Sequence, residues 1–436
     1  MMKSSLSLSL GIALLVMPLV ANTHDENSEE QSVKLGSVTY ELDQFACSVP
    51  GARWEQTGGP KTALNYNDGS LGTATITESG QYDFELSCCH VSSRVDSLLS
   101  SPDRIGFGRN TTGGAAAIGF TVVDSLANSG PGTLREALAR DEPTWIIFDD
   151  SIRGGVIELN EAINVEASDI TIDGRESDIT VSIRSGLAFP LLQLRGGNMI
   201  IAGITIDGNG TQGTAIMPRE GSNYWLDHMT VTNFASDDGV SIGQGNRPNT
   251  SASEVTISNF LAYNTSKGIQ AGGNDNFPNF PLHRTTIHSS ILAARDRVPR
   301  IQYGGQAHVF NTYIHSFEYG GMDAGRGAII ISENNVFSAL EANNSRSAQT
   351  GRPAGVGPTG FVFSSGDLFL DSAESSGEIN PSSIFRFDID YEYELMPANQ
   401  VVDYVNSNAG ARNAQIISSF GSTCNVVRES FTIVLD

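Results

Sequence analysis

The chain has 436 residues, with 49 Asp or Glu against 26 Lys or Arg and a formal charge of −23. So acidic a chain lacks the basic footprint that phosphate backbones require, which argues against nucleic acid as a partner. Lysine stands only at Lys3, Lys34, Lys61 and Lys267, and an acidic surface served by arginine fits solubility in a salty medium.

In chain order, Lys3 precedes an apolar run from Leu6 to Val20, closed by the small residue Ala21. The run is too short to span a bilayer with ordinary flanks, so residues 1–21 read as a cleaved signal peptide and the mature chain as secreted, extracellular or periplasmic. No later segment reaches the roughly 18 apolar residues of a spanning helix, so no membrane partner is expected. An oxidising compartment suits Cys47, Cys88, Cys89 and Cys424, which permit three pairings. Cys47 with Cys88 or Cys89 is the favoured bridge, since all three share one small N-terminal unit; buried free thiols are the alternative. No CxxC or HExxH spacing occurs, so no zinc or redox motif is visible.

Residues 33–97 show strand alternation in Thr73-Ala-Thr-Ile-Thr77 and Tyr82-Asp-Phe-Glu-Leu86. With the Trp54-Glu-Gln56 and Gly59-Pro60 stretches, this unit resembles PKD-type immunoglobulin-like β-sandwiches, which implies a spacer or a weak binder. Residues 98–117, rich in Ser, Gly and Asn, read as a linker. Beyond 118 short β-branched runs recur at Asn198, Tyr224, Glu254, Arg284, Ala307 and Ala328. Their spacing of roughly 21 to 30 residues is that of coils in a β-solenoid, each burying its inward side chains only against the next coil. A sandwich would need hairpin turns every 8 to 12 residues or so. The reading is all-β: a parallel β-helix over 118–436 behind the small β unit.

The stretches Asn128-Ser-Gly-Pro-Gly-Thr-Leu-Arg-Glu-Ala, Trp145-Ile-Ile-Phe-Asp and Ile170-Thr-Ile-Asp-Gly-Arg resemble the N-terminal part of pectate lyases, polysaccharide lyase family 1. Gly130-Pro131-Gly132 reads as a turn, and Thr133 to Arg140 as a short helix capping the open end of the solenoid. Tyr224-Trp-Leu-Asp-His228 is similar to the family's Trp-Ile-Asp-His strand, Ser266-Lys267-Gly268 to its lysine-bearing strand end, and Arg295-Asp-Arg297-Val-Pro299-Arg300 to its Arg-x-Pro-x-x-Arg signature. Tyr391 to Arg412 resembles its C-terminal segment. The resemblance implies a right-handed parallel β-helix of the pectin-lyase type, acting on an acidic polysaccharide as a monomer. It implies β-elimination of a uronan, in which a base removes the C5 proton and fixed positive charge steadies the carboxylate. Arg297 falls on the family's base and Lys267 on the residue that holds the carboxylate.

The departures set further expectations. The family's second signature arginine falls on Gln302. Arg295 shares strand parity with Arg297 and is expected to replace it, whereas Arg300 is expected on the opposite face. Arg295, Arg300 and His228 are the substrate-binding candidates, with His228 also able to order neighbouring loops. Calcium, a hard cation wanting several oxygens, is possible as a cofactor, but its positions fall on Gln212, Thr214, Asp238 and Ile242, of which only Asp238 is acidic. Asp237-Asp238 also resembles the paired-aspartate turn of polygalacturonases, so an inverting hydrolase is one alternative. A non-catalytic carbohydrate-binding or adhesion protein is the other.

Overall fold

A computed structural model describes residues 38–42, 53–60, 63–67, 71–76, 80–87, 89–414 and 430–435, except 118, 244–251, 273–281, 340–346, 352–357, 372–373 and 378. The expected signal peptide lies outside the described residues, as do Cys47, Cys88 and Cys424 and with them the favoured bridge. From Phe120 onward the chain is a parallel β-solenoid. One flank is a ten-stranded parallel sheet running from Phe120–Val123 to Phe361–Ser365. The rest is a 17-stranded sheet that bends around a corner, giving a second and a third face. The strand Leu261–Ala271 turns that corner unbroken: its first half pairs with Thr230–Phe234 and Ile291–Asp296, and its second half with Asp238–Ile242 and Arg300–Ile301.

Register explains why short β-branched runs suffice. Ile146, Ile172, Ile201, Leu226, Ile257, Ile287 and Val309 occupy one inward column from coil to coil. All are 1% exposed or less. Each such side chain contributes about 1.5–3 kcal/mol by leaving water, but only once the next coil covers it. At the corner after the ten-stranded sheet the chain repeatedly takes a left-handed residue: His228, Asn259, Ser289, Asn311 and Asn334 all have positive φ. Asn is suited to that conformation because its short amide bonds locally.

The outward side of the ten-stranded sheet is covered. Arg94, on the helix Cys89–Leu99, and Arg175 both bind the fully buried Asp173. They hold its carboxyl well below the usual range against the opposing effect of burial. Residues 106–114, within the segment expected to be a linker, cross several coils. There Gly114, Gly108 and Phe107 donate backbone N–H groups to Thr171, Thr256 and Thr286. A Cβ at Gly114 would meet the Thr144 carbonyl at 2.1 Å, so only glycine allows that approach. Tyr391 reaches His308 and Thr286 on the same flank. The helix Ala398–Asn408 lays Val401 and Val405 against Ile291 and Val336 on the second face. The short helix expected near Thr133 spans Leu134–Ala137, with the Thr133 side chain accepting from Glu136 N–H.

Outside the solenoid, Val38–Leu42, Leu71–Ile76 and Ala63–Asn67 form one antiparallel sheet, and Arg53–Gly58 and Gly80–Ser87 form another with Ser430–Leu435, which follows the solenoid in the chain. No helix among the described residues is long and apolar enough to cross a membrane.

Candidate active site

The third face gathers the charged residues. Asp238, Lys267 and Asp296 are register partners on three successive coils. Arg297 follows Asp296, and its Nη1 donates to Asp238 Oδ1 at 2.9 Å, reaching past the coil that carries Lys267. Lys267 Nζ lies 3.8 Å from the exposed Asp237. Arg300 donates to Asp323 at 2.8 Å and, at 3.5 Å, to Asp296. Three cations therefore stand among four carboxylates on one outward surface.

The strand geometry departs from simple alternation here. Ile291–Asp296 ends at Asp296, Arg297 takes a φ of +58°, Val298 turns into the core, and a new strand begins at Arg300. The break between the two strands resets the alternation, so Arg300 shares the outward surface with Arg297 instead of opposing it. Arg295 stands on the second face, apart from Arg297. Its guanidinium is held by Glu318 at 2.7 Å and by the Tyr319 hydroxyl at 3.1 Å, and it lies over the Tyr319 ring. His228 is elsewhere altogether, at the corner after the strand Ser222–Asp227 of the ten-stranded sheet. There its Nδ1 meets Asp227 at 2.8 Å, and Asp227 also accepts from Ser258. Burial works to lower the His228 pKa, but the Asp227 carboxylate outweighs it and raises the imidazole above its ordinary value. This is a corner-ordering network, and it does not face the arginines.

Electrostatics around Arg297 are unusual. Asp238 is 2% exposed along its side chain. Burial pushes its carboxyl up; Arg297 opposes this, Asp237 adds to it, and the net direction is upward. Beside it, the buried Ser241 Oγ, Gln270 Oε1 and Arg297 Nε have no hydrogen-bond partner among the described residues. Gln270 pairs in register with Ser241 and Arg300, so these orphaned groups adjoin the cations. Asp296, Asp323, Ser241 and Gln270 escape a sequence reading because their neighbours are set by register between coils.

Calcium does not fit the residues at its expected positions. Ile242 is fully buried in the core, Thr214 is 1% exposed, and the Asp238 carboxylate is taken by Arg297. Among the described residues no three of His, Cys, Asp or Glu converge to hold a metal. The hydrolase alternative also lacks support: the buried Asp238 is bonded to Arg297, and the preceding coil offers Thr214 where a third acid is wanted.

Residues 166–414 match the family described as pectate lyase. The chain belongs to the pectate lyase family. It is 28% identical over 260 residues to pectate lyase 1 of Cryptomeria japonica, covering 54% of this chain and 66% of that one. It is also 28% identical over 302 residues to a pectate lyase of Lilium longiflorum, covering 62% and 66% respectively. Two Arabidopsis thaliana pectate lyase relatives are matched over 61% and 55% of their length, so the chain spans less than two thirds of these curated relatives. The structure of jun a 1, the major allergen from cedar pollen, has a TM-score of 0.57 at 22% identity, covering 74% of this chain and 99% of that one. That likeness establishes the pectate lyase β-helix as the fold.

Proposed function

We propose that this pectate lyase family member is a secreted, monomeric enzyme that cleaves a uronic-acid polysaccharide of the pectate or pectin type by β-elimination. The observation that carries the reading is the convergence of Lys267, Arg297 and Arg300 on one outward surface of successive coils. The substrate carboxylate sits against Lys267 and Arg300, whose charge steadies the carbanion-like state at C5. Arg297 takes the C5 proton; the C5 electron pair forms the C4–C5 double bond, and the C4–O4 bond breaks with its pair leaving on O4, which water protonates. An arginine normally keeps its proton. Exclusion of solvent by bound substrate and the neighbouring Lys267 and Arg300 cations favour its neutral form, and the hydrogen bond to Asp238 fixes its orientation. The family's commonest metal is not needed in this scheme. The N-terminal strands serve as a spacer module of the immunoglobulin-like kind.

Incubation with pectate, methylated pectin and other uronans should raise ultraviolet absorbance from unsaturated ends. New reducing ends without that absorbance would point to hydrolysis. Binding with neither product would point to an adhesion role.

A further inference from the structure

Beside the cationic cluster the solenoid carries a cleft of about 850 Å³ that the elimination chemistry does not use. Asn209, Asn233, Asn264, Arg295 and Glu318 line it from five successive coils of the second face. At the spacing of neighbouring strands that is about 19 Å of floor, room for several sugar rings in a row. Ser266 lines its inner end, and the next residue is Lys267. The cleft therefore runs alongside the row on which elimination is proposed, over the same coils.

Its chemistry differs from that of the cluster. The Asn264 amide donates to Asn233, and the Asn233 amide donates to Asp207, so the amides are fixed in orientation. The two charges on its wall cancel, because Arg295 is held by Glu318 through two hydrogen bonds of 2.9 and 2.7 Å. Tyr263, which lines the cleft, is 44% exposed. Oriented amides meet sugar hydroxyls as both donor and acceptor, and open aromatic faces stack on pyranose C–H faces. A uronate placed here would face Glu318 with no free cation among the lining residues to offset it.

We propose that this cleft binds an uncharged sugar segment adjoining the uronate that is cleaved. The inference rests on the lyase reading for its position beside a scissile bond. Uncharged units come from two sources, neutral sugars and methyl-esterified uronates. On a chain of charge −23, such a segment supplies attraction that does not depend on the few local cations.

Titration calorimetry of the full chain separates the cases, with three probes: a de-esterified oligogalacturonide, its methyl-esterified counterpart and a neutral β-linked hexose oligosaccharide. Uncharged probes should bind with affinity changing less than about twofold between low and high salt, while the de-esterified probe weakens about tenfold. Binding of the neutral probe assigns the cleft to neutral sugars; binding of the ester alone assigns it to esterified uronates. Tyr263→Ala, at an exposed position in the cleft, should weaken the uncharged probe about tenfold. Glu318→Gln frees the Arg295 charge and should strengthen the de-esterified probe several-fold. Failure of both uncharged probes to bind, or binding untouched by Tyr263→Ala, overturns the proposal. Absorbance at unsaturated ends is read on the same samples. Uncharged binding without any elimination would remove the lyase reading and the cleft's place beside a scissile bond, leaving a plain neutral-sugar site.

Discussion

Arg297 and Asp238, 59 residues apart in sequence, are joined by a 2.9 Å hydrogen bond that reaches across the coil carrying Lys267. The bond ties the proposed proton acceptor to a carboxylate that is almost wholly buried. Arg297→Ala should therefore act twice. It should lower turnover by orders of magnitude, and it should destabilise the fold by about 3 kcal/mol because Asp238 is left buried without its partner. Adding Asp238→Ala should recover much of the stability and none of the activity. Denaturant unfolding and product absorbance, measured on all three variants, check both halves. A double variant that regains turnover would remove Arg297 from the chemistry.

Lys267 is more exposed than Arg297 and its nearest acid, Asp237, is solvated. Lys267→Ala should leave stability within about 0.5 kcal/mol, as surface changes do. It should raise KM and lower kcat together, since a carboxylate clamp acts in both ground and transition states. Steady-state kinetics decide it; kcat and KM both within about twofold of the parent would assign the clamp to Arg300 alone.

With Asp238 engaged and Ile242 in the core, protein cations are left to neutralise the sugar. Lyase activity should persist in excess chelator and fall several-fold as ionic strength rises to about 0.5 M, because screening weakens attraction between exposed charges. Complete loss in chelator, restored by calcium, would mean that ligands come from outside the described residues.

The His228–Asp227 pair gives a pH prediction. The His228 pKa is raised above 6.5 in the fold, so its stabilisation is complete below pH 6.5 and is lost as pH rises through the raised value. Asp227 is lowered from 3.8, so its stabilisation is present above that value and is lost as pH falls through the lowered one. His228→Asn places at this corner the residue type found at Asn259 and Asn311, and should preserve the fold. Its Tm deficit against the parent should be largest in mildly acidic solution and shrink toward alkaline pH. An equal deficit at about pH 5 and pH 9 would refute the assignment.

Inward columns are written into a sequence because alternation and coil length repeat, so the β-helix was legible from runs such as Asn198-Met-Ile-Ile-Ala. Resemblance to the family's motifs singled out Lys267, Arg297 and Asp238, and the structure sets them on adjacent coils. Two kinds of relationship were not legible. The sides taken by Arg295 and Arg300 depended on the break between the strands Ile291–Asp296 and Arg300–Ile301, for which β-strand parity has no rule. The partners Asp323 and Glu318 belong to the next coil, and nothing local in the sequence states which residue of one coil lies over which residue of another.

The segment 106–114 has a bearing on how the molecule comes apart. Stacked coils touch only their neighbours, so a bare solenoid can fray from either end, one repeat at a time. Here one short stretch is fastened to Thr171 and, three coils further along the axis, to Thr256 and Thr286 on two adjacent coils. Opening an inner coil means tearing this fastening, and tearing it loosens distant coils together. The middle of the helix should thus melt as a single cooperative unit, and amide exchange should protect residues 171 to 286 to a common free energy instead of along a gradient from the ends.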